Sequence, residues 1–219
     1  MAIKTVITDY EAYNDRADEI DLRKESKLAQ ETILNLKHTM QKNNYACLAA
    51  PHIGVNKRIV CINFKGQIRT FVNPMMGTVK GLELSRESCP AIPGKQFIRP
   101  RHNDIHVMYQ TPMGKVESVS FKGLAAKVMQ YGIDILDGLL LSDVGLEIDD
   151  NWDKATQEER DEVIAMYLES LDLKEKNIKK ELKDNPETKQ MLDAIEFMES
   201  VQKGETKLIS EEEELQKVH

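Results

Sequence analysis

The sequence predicts an α+β fold with an added helical C-terminal region. Three observations carry that expectation. Apolar residues recur at helical spacing between residues 24 and 42, a short β-branched run follows at 58–64, and prolines and glycines cut residues 73–121 into strand-length pieces. The 219 residues are 41% hydrophobic and 31% charged, the balance of a soluble globular chain long enough to bury its own core.

Taken in order, Leu28, Ala29, Thr32, Ile33, Leu36 and Met40 share one side of a helix over residues 24–42. Residues 58–64 read RIVCINF, which is apolar in both alternating sets and so predicts a buried strand. Lys65-Gly66-Gln67 is a turn signal, a second strand is expected at 68–72, and Asn73-Pro74 is expected to end it. Pro90, Pro93, Gly94, Pro100, Pro112 and Gly114 then punctuate short strands, such as 105–109 and 115–121. A helix over residues 122–136 follows, with Leu124, Val128, Tyr131 and Ile135 along one side. The texture changes after Asp149, which predicts two regions, 1–149 and 150–219. Thr156 and Glu159 form a capping box for a helix with the stripe Val163, Ile164, Tyr167, Leu168 and Leu171. Asn185 and Pro186 begin a further helix with Met191, Ile195 and Met198 on its apolar face and Gly204 as its stop. Residues 211–214 are a solvated acidic run.

The net charge of -7 is uneven. Residues 1–149 carry 19 Lys/Arg against 17 Asp/Glu, and residues 150–219 carry 11 against 20. The acidic C-terminal third argues against nucleic acid as a partner, because it repels phosphates. No stretch has the roughly 18 apolar residues of a membrane span, and the Met1-Ala2-Ile3-Lys4-Thr5 start lacks a secretory h-region, so a cytoplasmic protein without a membrane partner is expected. Cys47, Cys61 and Cys89 are too few for a disulfide framework. The five histidines are dispersed. His102 and His106 stand four apart, but in strand-like sequence, where that spacing does not converge on one point.

Three segments stand out together: Cys47-Leu48-Ala49-Ala50-Pro51-His52-Ile53-Gly54, then Glu87-Ser88-Cys89-Pro90-Ala91, then Gln130-Tyr131-Gly132-Ile133-Asp134-Ile135-Leu136-Asp137-Gly138. In this order they resemble the three motifs of the peptide deformylases, and the resemblance extends over residues 15–148. It implies that family's fold, antiparallel and mixed sheet around a central helix. It also implies the site of a metal-assisted amide hydrolase that removes the formyl group from a new protein's first methionine. That family holds iron, zinc or nickel with one cysteine and two histidines, and a glutamate takes the proton from the metal-bound water.

In this chain the cysteine is Cys89. Tyr131 and Ile135 stand at the two histidine positions and Gly132 at the glutamate position. Ile135 cannot ligate a metal, and Gly132 cannot accept a proton. His52 stands at the oxyanion position, and Pro90 lacks the backbone N–H that the family's leucine uses there. The resemblance places Ala46, Ser85, Leu124, Lys127, Val128 and Tyr131 around the family's methionine pocket, with Arg101 in a Pro-Arg pair beside it. Ser85 and Lys127 would make that pocket polar. Gln130 and Asp134 read as supports holding their helix against the sheet.

Three functional readings follow. One is a deformylase-like protein without metal or turnover that binds a peptide or protein N-terminus. Another is an interaction protein working through its acidic C-terminal helices. A third is an amide hydrolase with a rebuilt site of Cys47, His52 and Cys89, as metal ligands or as a Cys89–His52 nucleophile–base pair.

Overall fold

The computed structural model describes residues 2–64 and 66–184, with side chains as far as residue 171. The described residues fall into two compact units divided between Lys154 and Ala155. That is five residues later than the change of texture suggested, because a 3₁₀ turn at Trp152–Lys154 belongs to the first unit, where Arg86 pairs with Asp153.

In the first unit, α1 (Ser26–Asn43) is followed by β1 (Cys47–Ala49), a 3₁₀ turn at Ala50–Ile53, β2 (Ile59–Phe64), β3 (Gln67–Cys89), β4 (Ile92–Gln110) and β5 (Val116–Lys122). Then come α2 (Leu124–Leu136), α3 (Leu141–Val144) and β6 (Leu146–Ile148). The strands form one antiparallel sheet in the order β1-β2-β3-β4-β5, with β6 added to β4. Helix α1 packs on one face. Its Ala29, Ile33, Leu36 and Met40 meet Leu48, Ile59, Cys61 and Val72. Helix α2 packs on the other, where Met129, Ile133 and Leu136 join Ala49, Val60, Ile62 and Phe71. Alternate residues of β2 therefore face different helices, which is why Ile59 through Ile62 are apolar in an unbroken run instead of alternating. Each such side chain, fully buried, contributes roughly 1.5–3 kcal/mol of transfer free energy.

The central strands differ from the expectation of short pieces. Asn73-Pro74 does not end β3, which runs on to Cys89, and β4 runs through Pro93, Gly94 and Pro100. Asn73 takes a left-handed φ of 47°, and the register shifts between Val72 and Met75. Asparagine tolerates that backbone better than most residues, so the chain absorbs a bulge and bends. The Asn73 side chain fixes the bulge. Its Oδ1 accepts from Ile20 N–H at 3.0 Å, and its Nδ2 donates to Ile20 O at 3.0 Å.

Helix α2 is held against β4 by Gln130, whose Oε1 accepts from His102 N–H at 2.9 Å and whose Nε2 donates to His102 O at 2.7 Å. These bonds make Gln130 the support its position suggested. The second unit opens with α4 (Gln157–Asp184), capped reciprocally by Thr156 and Glu159. The helix expected from Asn185 to Gly204, its apolar face and the acidic run at 211–214 lie outside the described residues. No described helix is long and apolar enough to cross a membrane.

Candidate functional site

A cleft of about 490 Å³ opens where three elements of the first unit meet. One wall is the chain entering β1, at Asn44 through Cys47. A second is the end of β3 with the hairpin after it, at Ser85 through Pro90. The third is the first two turns of α2, at Leu124, Lys127, Val128 and Tyr131. Strand β1 is the edge of the sheet. Beyond Val72, β3 pairs only with β4 among the described residues. Two strand edges without strand partners therefore border the cleft.

At the floor, Cys89 ends β3. The tight hairpin Cys89–Ile92 carries Pro90 at its first corner, where the fixed proline φ suits a turn. The turn brings the backbone N–H groups of Ala91 and Ile92 onto the Cys89 sulfur. Tyr131 reaches the same sulfur from α2 with its hydroxyl. On its other side, Tyr131 Oη lies 2.8 Å from His52 Nε2. His52 Nδ1 accepts from Ala49 N–H at 3.0 Å, so Nε2 carries the proton and donates it to Tyr131. The Tyr131 hydroxyl lies between His52 and the Cys89 sulfur, with which it interacts electrostatically. The result is a directed chain from Ala49 N–H through His52 to Tyr131, which ends beside the Cys89 sulfur.

The electrostatics follow from burial. His52 is fully buried and its pKa falls to about 4, because an imidazolium would lose its hydration there. Burial likewise pushes the Tyr131 phenol well up. For Cys89, burial raises the thiol pKa more than the donors from Tyr131, Ala91 and Ile92 lower it. At neutral pH the floor thus holds a thiol, a phenol and a neutral imidazole. A weakly ionised thiol is a poor nucleophile. His52 has both ring nitrogens engaged and can take a proton only by giving up its bond from Ala49.

This burial has a measurable consequence. The unfolded chain binds a proton at His52 near pH 6.5, whereas the folded protein does so only near pH 4. Between those values the unfolded state binds more protons, so the His52 contribution is complete above pH 6.5 and is lost as pH falls toward 4. The total is roughly 3 kcal/mol. Denaturant unfolding from pH 8 to 4 should show this loss in the parent protein and a flatter profile in His52→Gln. Carboxylates titrate alike in both, so parallel profiles would disprove the assignment.

Ala46, Ser85, Leu124, Lys127, Val128 and Tyr131 line the cleft together with Cys47 and Cys89. Arg101 does not, which corrects its assignment to the binding surface. It is 2% exposed and lies in the core as the hub of an ion-pair cluster. Its guanidinium donates twice to Glu87, at 2.8 and 2.7 Å, and once to Asp134, which also accepts from Arg99 at 2.7 Å. The cluster ties β3, β4 and α2 together, with Glu87 two residues before Cys89 and Asp134 three after Tyr131. Burial works against the Arg101 charge, but the two carboxylates outweigh it and hold the pKa above the ordinary arginine value. Glu83 was not foreseen. It pairs with Lys127 at the rim of the cleft. Glu83, Ser85 and Glu87 alternate on the face of β3 toward α2, a pattern that is readable only once β3 is known to continue past Asn73.

The structure does not join Cys47, His52 and Cys89 into one ligand set, nor does it pair Cys89 with His52 directly. Tyr131 stands between the histidine and the thiol. Cys47 is buried, and burial raises its thiol pKa far above the ordinary value. Its sulfur packs beside Gly132. A Cβ at Gly132 would lie 2.6 Å from Val60 Cγ2 and 3.0 Å from Cys47 Sγ, so the room for a side chain at that position is already occupied. Ile135 is 1% exposed within the apolar core. Among the described residues no three His, Cys, Asp or Glu side chains converge as a metal site would need.

Comparison with known proteins places this architecture. A peptide deformylase from Dictyoglomus thermophilum is 32% identical over 132 residues, which cover 60% of this chain and 83% of that one. One from Symbiobacterium thermophilum is 30% identical over 158 residues, covering 68% and 73%. In fold, the crystal structure of the Thermotoga maritima peptide deformylase matches with a TM-score of 0.62 over 66% of this chain and 98% of that one, at 24% identity. The family model described as polypeptide deformylase matches residues 5–149, and on that match this chain belongs to the polypeptide deformylase family.

Proposed function

We propose that this chain is a deformylase-fold protein that binds an extended peptide or a protein N-terminus in its cleft and does not hydrolyse it. The observation that carries the reading is the hydrogen-bond chain from Ala49 through His52 to Tyr131 beside Cys89, together with the filled space at Gly132. A deformylase metal ion needs three protein ligands and an open position for water. Around Cys89 stand a phenol, an isoleucine and a glycine in their place, and these residues do not fit the ion. Neither an activated water nor a base to deprotonate it has a source in this donor set.

What the site keeps is the means to hold a peptide. The bordering edges of β1 and distal β3 offer backbone N–H and C=O groups for strand addition, a mode that needs a groove but no metal. A related-fold protein from Acinetobacter baumannii has been solved with Met-Ala-Ser bound, which supports a short peptide as the class of ligand. We also place the protein in the cytoplasm, a reading supported by three free, buried thiols.

The test combines three measurements on the purified protein. Titration with short unblocked peptides should give saturable binding. Formyl-peptide substrates should release no formate above background. Elemental mass spectrometry of anaerobically prepared protein should find well under one equivalent of iron, zinc or nickel. Formate release at a rate dependent on Cys89, or one equivalent of metal, would overturn the proposal.

A further inference from the structure

The cleft wall contains a polar recess that an aliphatic or thioether side chain would leave unmatched. Ser85 is 6% exposed and lines the cleft, and its hydroxyl has no hydrogen-bond partner among the described residues. That oxygen is not sealed in the core but opens onto the cleft, where it is free to bond a ligand. Lys127, one helical turn before Tyr131 on α2, also lines the cleft. Its ammonium has three donors and pairs with Glu83, whose side chain remains 45% exposed. Three kinds of group thus stand on this side of the cleft: a hydroxyl that is free to bond, an ammonium with donors to spare, and a carboxylate that accepts. Glu83 already matches the Lys127 charge and Glu87 that of Arg101, so an added carboxylate would enter without a counter-ion of its own. The remaining wall, Ala46, Val128 and Leu124, is apolar and suits a methylene stem.

We propose that this recess selects a peptide side chain ending in a neutral carboxamide, glutamine above all. The carbonyl oxygen accepts from Lys127 Nζ and Ser85 Oγ. The amide NH₂ donates to Glu83, and the two methylenes lie against Val128 and Ala46. Ser85 and Lys127 are then specificity-determining residues. This inference rests on the cleft being a peptide site and adds what enters it.

The experiment is calorimetric titration of the full chain with Gln-Ala-Ser, Glu-Ala-Ser, Met-Ala-Ser and norleucyl-Ala-Ser. Gln-Ala-Ser should bind about tenfold or more tighter than Met-Ala-Ser, since a site built for hydrogen bonds discriminates strongly against an analogue that lacks them. In Lys127→Met and in Ser85→Ala the preference should shrink several-fold or vanish, while norleucyl-Ala-Ser binding holds or improves. That second readout separates lost recognition from a damaged fold. If Met-Ala-Ser or Glu-Ala-Ser binds as tightly as Gln-Ala-Ser, the carboxamide assignment is overturned and the peptide site stands. If none of the four binds, the peptide site falls and the assignment falls with it.

Discussion

Replacing Arg101 with methionine is expected to destabilise the protein by about 3–5 kcal/mol, the range for breaking a buried ion pair from one side. The size of the loss comes from what is left behind. Arg101 is the cation that meets both oxygens of Glu87, and it shares Asp134 with Arg99. Without it, Glu87 is a largely buried carboxylate stripped of its fork of donors, while Asp134 keeps Arg99. The penalty should therefore trace mainly to Glu87. Adding Glu87→Met to Arg101→Met should recover a large part of the stability, because removing the stranded charge removes its desolvation cost. Arg101→Lys should fall between, since a compact ammonium cannot reproduce the bidentate contact. Urea unfolding of the three variants measures all of this. An Arg101→Met loss below about 1 kcal/mol would rule out the cluster as a major source of stability. The same variant should loosen the cleft, because the cluster sets the end of β3 and the middle of α2, which carry Cys89 and Tyr131.

How much of this could be read from the chain depended on the range of the signal. Helix α1 and strand β2 were legible because their periodicities are local: one apolar stripe, and one run buried on both faces. Gln130 was legible as a support because its motif placed it on the helix side toward the sheet. Arg101 was misplaced because its partners lie 14 and 33 residues away on β3 and α2, and nothing local distinguishes an arginine in a core cluster from one at a binding surface. Asn73-Pro74 misled for a related reason. The pair is a turn signal by composition, yet the hydrogen bonds to Ile20 that turn it into a bulge come from 53 residues earlier. The site positions Ala46, Ser85, Leu124, Lys127, Val128 and Tyr131 could be named through motif resemblance. Their environment could not be read that way: that His52 would bond Tyr131, or that Val60 and Cys47 would fill the space at Gly132, depends on packing between β1, β2 and α2.

That packing sets the second large effect. Gly132→Glu should destabilise the protein by more than about 4 kcal/mol, since overpacking costs roughly 1–3 kcal/mol and an unpaired buried carboxylate adds several more. Gly132→Ala isolates the steric part. Alanine favours the helix by about 1 kcal/mol over glycine, yet its Cβ would press on Val60 Cγ2 at 2.6 Å, so the net change should still be a loss. A gain in stability would mean that Val60 yields easily and the space is not closed. On the proposed reading, placing the family's motif residues at these positions is not expected by itself to build a metal site. Tyr131→His, Gly132→Glu and Ile135→His together should give a poorly folded protein with no stoichiometric metal in elemental analysis. Adding Val60→Ala and Cys47→Gly to those three removes the atoms that occupy the space, and should raise stability relative to the triple variant and allow metal uptake. If the triple variant alone folded and took up one equivalent of metal, the core around Gly132 would be no barrier. Loss of the ligands would then be the whole difference between this chain and a metal enzyme. If the two core substitutions are needed, the cleft floor has been repacked around Cys47, Val60 and Tyr131, and the site has become part of the hydrophobic core.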